Sequence, residues 1–345
     1  MQRRIVFGPR HHAAVLGRFS GCSSGCLLAC LCALWGCAAS GPTPDAKTSP
    51  VLPRWAELSN RPTELQARTK ASGAEAPPTT LPEGFSAQRY VSAGQSLFAA
   101  LGIPLMTPRT AQAPVERLPA VVLLHDKTSI DDDTLARGLR LVDAGFIVLI
   151  PTWRGEHGNP GAFELLRGEV DDARAATRFL AEQPLVDVDR LYAFGHGVGG
   201  ALAGLLALGD APFALLASSG GLWEHTDLFH IGRSEGRSER FNFVSSTPFD
   251  AGDLRETSVR CFAEHADELS RALIVYARRR DIDDKRIATR MLRADAARHL
   301  LVEWLDSDSA SADDDAFADF TRRITSHAFG GGAVSVARSA FRFAP

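Results

Sequence analysis

"EVDDARAATRFLAEQPLVDVDRLYAFGHGVGG" (residues 169–200) joins the end of a helical pattern, a "VDVDR" turn, an apolar strand and a glycine-rich exit. The strand, "RLYAFG" (190–195), is nearly continuous in apolar residues, as a strand covered on both faces must be. It leads through Gly195-His196-Gly197-Val198-Gly199-Gly200 into an alanine- and leucine-rich helix at 198–209. Outward from this unit the alternation continues. Strands are expected at 120–125, 146–151, 213–218, 272–277 and 300–304, and helices at 133–145, 162–183, 283–296 and 315–329. Asp133 with Thr134 offers a cap for the first helix and Gly145 a stop. Upstream, "SAQRYVSAG" and "SLFAALGIPL" read as an antiparallel pair joined by a tight Ala-Gly turn. The pattern predicts an α/β protein: a mostly parallel, eight-stranded sheet with helices on both faces. Residues 220–265 lack a clear period and read as an excursion over the C-terminal edge of the sheet, where such folds place ligand sites.

The chain has 345 residues, 45% hydrophobic and 23% charged, enough for one large domain or two small ones. A net charge of −3 supplies no global attraction to nucleic acid, which is set aside as a partner. Cys22, Cys26, Cys30, Cys32 and Cys37 crowd the start and only Cys261 follows, so the body holds no disulfide framework. Cys261 reads as a small buried thiol. Arg3, Arg4, Arg10 and Arg18 precede "CLLACLCALWG", a stretch of signal-peptide length too short to span a bilayer comfortably. Residues 1–36 are therefore expected to be an export signal, 37–83, rich in Pro, Ala, Thr and Ser, a flexible tether, and 84–345 the folded domain. Leu34-Trp35-Gly36-Cys37 resembles the bacterial lipobox, which implies lipidation of Cys37 and, with Ala38 next, an outer-membrane anchor in the cell envelope. The alternative is cleavage near residues 38–40, releasing a soluble secreted or periplasmic protein.

Three stretches, "WRGEHGNPG" (153–161), 169–200 and "SRALIVYARRRD" (270–281), resemble the α/β-hydrolase superfamily in its dienelactone hydrolase and prolyl oligopeptidase-like branch, over roughly residues 84–343. The resemblance implies a serine at the centre of G-x-S-x-G, on a strained strand-to-helix turn, with an acid and a histidine on later loops. Here Gly197 stands at the nucleophile's position, Asp281 near the acid's and Asp315 near the histidine's. Glycine relieves a positive-φ turn that costs other residues about 1–3 kcal/mol, but it removes the atom that forms an acyl-enzyme. Asp281 is equally readable as a loop aspartate paired with Arg278, Arg279 or Arg280. His327 reads as packed or exposed rather than catalytic, and Ser218 and Ser219 end the next strand without an elbow to present them.

A binding pocket is expected from His125, Asp126, Lys127, Arg154, His196 and Val198. In it the Val198 N–H, a backbone N–H near Asp126 or Lys127 and the helix dipole suit a small carboxylate- or carbonyl-containing ligand. The same groups are equally readable as a helix cap and surface ion pairs. The spacing of His125, Asp126 and His196 matches no compact zinc pattern, so neither metal nor cofactor is expected. The resulting expectation is a lipid-anchored, non-catalytic binding protein, its partner that ligand or an envelope protein. The alternative is a serine-type esterase or peptidase with an unorthodox nucleophile.

Overall fold

The structure is a computed structural model that describes Arg54, Glu57 and residues 80–105, 117–126, 130–161, 164, 166–221, 223, 261–293, 299–306 and 309–330. The expected signal, Cys37, nearly all of the tether, Lys127 and most of the 220–265 excursion lie outside these residues. Eight strands form one sheet: β1 (Phe85–Ser92), β2 (Gln95–Gly102), β3 (Leu118–Leu124), β4 (Ile147–Pro151), β5 (Val186–His196), β6 (Phe213–Ser219), β7 (Leu273–Arg278) and β8 (Leu300–Leu305). Their spatial order is β1-β2-β4-β3-β5-β6-β7-β8. β1 and β2 pair antiparallel across Ala93 and Gly94, both at positive φ as a tight hairpin turn of this hand requires. β2 meets β4 antiparallel, and every pairing from β4 through β3 to β8 is parallel.

Five helices accompany the sheet among the described residues: α1 (Asp132–Asp143), α2 (Gly168–Ala181), α3 (Val198–Ala207), α4 (Ile282–Arg293) and α5 (Ser309–Gly330). Alternate side chains of the strands face two separate cores. Val122 and Leu124 join Val170 and Ala173 of α2, Leu202 and Leu205 of α3 and Met291 of α4. Val121 and Leu123 join Leu135 and Leu141 of α1 with Phe317 and Phe320 of α5. All ten residues of α3 are buried, which explains why its sequence is apolar on every side. None of the described helices is long and apolar enough to cross a membrane.

β5 begins at Val186, so the expected "VDVDR" turn is part of the strand rather than a connection before it. Three further boundaries differ for a local cause. α1 is capped by Asp131 rather than by Asp133 or Thr134, because Asp131 Oδ1 accepts from the Thr134 N–H at 2.9 Å. α2 starts at Gly168, not near 162. Glu169 accepts from the backbone N–H groups of Glu164 and Arg167, and Glu164 accepts from that of Gly168, so side-chain carboxylates take donors that a helical turn would otherwise organise. α5 starts at Ser309, six residues before the apolar periodicity becomes evident, and this brings Asp313 into the site.

Candidate functional site

β5 ends at His196, and the chain turns into α3 through Gly197 at φ +55°, ψ −115°. The Gly197 N–H donates to the Ser219 carbonyl oxygen at 3.0 Å, which fixes the turn to the end of β6. Two side chains from elsewhere meet this turn. Asp126, just beyond β3, accepts the Val198 N–H on Oδ1 at 2.8 Å. Asp313, near the start of α5, accepts the Ser219 hydroxyl on Oδ1 at 2.7 Å.

His196 lies between them. Its Nδ1 is 3.2 Å from Asp313 Oδ1 and 3.1 Å from the Ser219 carbonyl oxygen, while Nε2 is 3.8 Å from Asp126 Oδ2. Burial works against the imidazolium, but the hydrogen bond to Asp313 and the charges of Asp313 and Asp126 outweigh it and raise the His196 pKa. These groups border a cavity of about 210 Å³, closed on other sides by His125, Asp131, Asp133 and Arg137. His125 stacks on Trp153 with ring centroids 5.2 Å apart, and its Nε2 is 3.4 Å from Glu156 Oε2, both side chains being buried. The loop leading into α1 is held by the Ile130 N–H, which donates to His157 Nε2 at 2.8 Å.

The expected site residues thus divide. His125, Asp126 and His196 share the cavity, and the Val198 N–H points at its edge, already engaged by Asp126. Arg154 does not reach it. Its guanidinium is buried and forked onto Asp172 at 3.0 and 2.8 Å, with Glu164 at 3.4 Å, because the carboxylates on and before α2 offer the only compensation for its charge among its described contacts. Asp281 is likewise elsewhere: it accepts the Asp284 N–H at the start of α4 and pairs with Arg278 at 3.0 Å. Asp315 is exposed, and Asp313, two residues earlier, is the α5 carboxylate that faces the turn. Apolar periodicity starts α5 at 315 and so leaves Asp313 on the loop before it, whereas the helix begins at Ser309. Extending the helix upstream would have found it. His327 accepts or donates with the Tyr192 hydroxyl, far along β5 from the turn. Ser218 and Ser219 are both buried, and the Ser219 hydroxyl is spent on a carboxylate rather than on an imidazole.

Glu156, Glu164, Glu169 and Asp172 are all buried, as are Arg154 and Arg167. Burial pushes the Glu169 carboxyl up to about 8, with Glu164 and Asp172 adding to the rise and Arg154 opposing it. The unfolded carboxyl, near 4.5, ionises first, so the native state holds the extra proton between these values. Stability is complete below the unfolded pKa and is lost as pH climbs towards 8. The raised His196 acts in the same direction, its contribution fading as pH passes its folded pKa. Glu156, raised by the same burial, adds to the slope. Thermal unfolding should therefore show the protein more stable at pH 6 than at pH 8, by about 2 kcal/mol or more. Glu169→Gln should remove its own share of that slope and leave the rest. A stability that rises from pH 6 to 8 would contradict the assignment.

The overall fold is shared with solved hydrolases. The 2,6-dihydroxy-pseudo-oxynicotine hydrolase superposes over 75% of this chain and 72% of its own, with a TM-score of 0.59 at 14% identity. The fold is that of the α/β-hydrolases. A puromycin-hydrolyzing peptidase of Mycobacterium tuberculosis shares this hydrolase fold with a TM-score of 0.54 and 18% identity, covering 71% of this chain and 39% of that one. Within the hydrolase fold, residues 136–231, which include β5, Gly197 and α3, match the prolyl oligopeptidase family. An uncharacterized peptidase of Bacillus subtilis, YtmA, is 33% identical over 72 residues, 21% of this chain and 28% of the relative. The chain thus matches little more than a quarter of that relative's length.

Proposed function

We propose that this α/β-hydrolase-fold protein binds a small molecule or an envelope partner at the cavity beside Gly197 and does not cleave it. One observation carries the reading: the Asp126 carboxylate, not a nucleophile, occupies the space above the turn. A Cβ built on Gly197 would overlap Asp126 Oδ1 and Cγ. The imidazole nearest the turn, His196, is set between two carboxylates, and Asp313 rather than a histidine faces it from α5. Such a constellation can hold a proton and hydrogen-bond a ligand, but it offers no activated hydroxyl.

A fluorophosphonate probe and short-chain p-nitrophenyl esters test this on the purified protein. No serine should label, and turnover should not exceed that of heat-denatured protein. Labelling at a single serine with turnover would establish the rival reading, a hydrolase of ester or peptide bonds. That rival is supported by the match of residues 136–231 to a peptidase family. Gly197→Ser alone should also stay inactive, because the new side chain meets Asp126 and no described residue faces it as a base. Membrane anchoring through Cys37 belongs to the same proposal. Metabolic labelling with a tagged fatty acid should be lost in Cys37→Ser, and labelling that persists in the variant would end that part of it.

A further inference from the structure

The outer face of α4 breaks two rules of helix electrostatics at once. Ala288 and Met291 are buried in the core, which turns Lys285, Arg286, Thr289 and Arg290 outward on the opposite side of the helix. Lys285 stands in the first turn, where its N–H donates to the Asp281 carbonyl oxygen at 3.1 Å, and there the positive end of the backbone dipole disfavours a cation. Arg286 and Arg290 are like charges one turn apart, a second arrangement that weakens a helix. A face that gives up local stability in this way is expected where a ligand is bound.

These four side chains border an open hollow of about 490 Å³, and no carboxylate is among its described lining residues. The neighbouring acids are turned elsewhere: Asp281 and Asp284 hold Arg278 at 3.0 and 2.8 Å, and Glu264 holds Arg290 at 2.9 Å. Among the described residues Lys285 makes no ion pair and the Thr289 hydroxyl no hydrogen bond, so an ammonium and a hydroxyl one turn apart are available to a ligand in the hollow. We propose that the outer face of α4 is a binding site for a phosphate group, with Lys285 and Thr289 at its centre and Arg286 and Arg290 at its rim. A carboxylate presents two oxygens in one plane, fewer acceptors than these donors can fill. A phosphate presents its oxygens around a tetrahedral centre and carries up to two charges. Glu264 offsets part of the Arg290 charge, so affinity comes mainly from residues 285, 286 and 289 and falls as salt rises. The site shares no described residue with the cavity beside Gly197, and it holds whether or not that cavity cleaves its ligand. A diffusible phosphate and a phospholipid headgroup both offer this chemistry.

The test titrates the purified full chain with inorganic phosphate at constant ionic strength, set with sodium chloride, and follows heat and melting temperature. A parallel arm sediments the chain with phosphatidylcholine vesicles, with and without phosphatidylglycerol. Saturable binding of inorganic phosphate assigns a diffusible ligand, and binding that needs phosphatidylglycerol, with no response to free phosphate, assigns a lipid headgroup. In either arm Lys285→Gln combined with Arg286→Gln should weaken the binding at least about tenfold, a step of ~1.4 kcal/mol, and Thr289→Val should weaken it by less. Arg89→Gln combined with Arg178→Gln removes the same charge from exposed positions on other elements and should bind as wild type. No saturable binding in either arm, binding unchanged in either α4 variant, or an equal loss in the Arg89 and Arg178 variant would each overturn the proposal. The α4 side chains project outward, so their variants should melt with the wild type. If the double variant does not fold, Lys285→Gln alone is read by the same criteria and should show a smaller loss.

Discussion

Asp172→Ala should lower stability by about 3–5 kcal/mol, because it leaves the Arg154 guanidinium buried without its principal counter-charge. Arg154 Nε and Nη2 donate to the two oxygens of Asp172 at 3.0 and 2.8 Å, and the Arg154 backbone N–H donates to the same carboxylate at 3.0 Å. Removing it strands three donors in a region with almost no solvent. Glu164, at 3.4 Å, is the remaining partner and already accepts the Gly168 N–H. The backbone cannot give way either, since the guanidinium lies directly against Gly168 at the start of α2. For a domain of this size the loss corresponds to roughly 10 °C in melting temperature. Asp172→Asn keeps the shape and should cost less than Asp172→Ala. Thermal and urea unfolding measure both. A loss below ~1 kcal/mol in Asp172→Ala would mean that Arg154 finds water or another carboxylate on relaxing.

Gly195→Ala should cost about 3 kcal/mol or more, or prevent folding, because its Cβ would overlap the Gly199 carbonyl group and crowd the Gly200 nitrogen. Every atom it meets is backbone, so no rotamer change relieves the contact. Either α3 lifts from the sheet or β5 shifts, and α3 is buried throughout while β5 is buried from Leu191 to Gly195. Gly94→Ala is the control. Its Cβ enters open space, so it retains only the cost of the positive φ, ~1 kcal/mol. Comparable losses in the two variants would show that strain of the turn, rather than close approach of strand and helix, is what residue 195 provides.

Much of the architecture was legible because its determinants are local. Apolar runs such as those of β3, β4 and β7 announce strands covered on both faces, and helices between them force parallel crossovers. The glycine frame from 195 to 200 marked the turn and the missing side chain. The start of α2 escaped because carboxylates five residues apart or fewer satisfy backbone donors there, and nothing in the apolar period reveals such pairing. The pocket residues were half legible for a similar reason. His125, Asp126 and His196 follow directly from strand ends, which topology places at one edge of the sheet. Arg154 also follows a strand end, but its direction depends on Asp172 and Glu164.

The sequence by itself determined that the sheet would be built, that a strand would pass into a buried helix through Gly197, and that residue 197 would carry no nucleophile. These are properties of periodicity and residue identity, and they hold wherever the side chains turn. Only the tertiary structure decided what stands in the vacated space and which charges face it. Asp126, His196 and Asp313 come from three elements far apart in the chain. Whether their carboxylates meet an imidazole, a helix N–H or solvent is fixed by the packing of α1 and α5 against the sheet, to within an ångström or so that no spacing in sequence encodes.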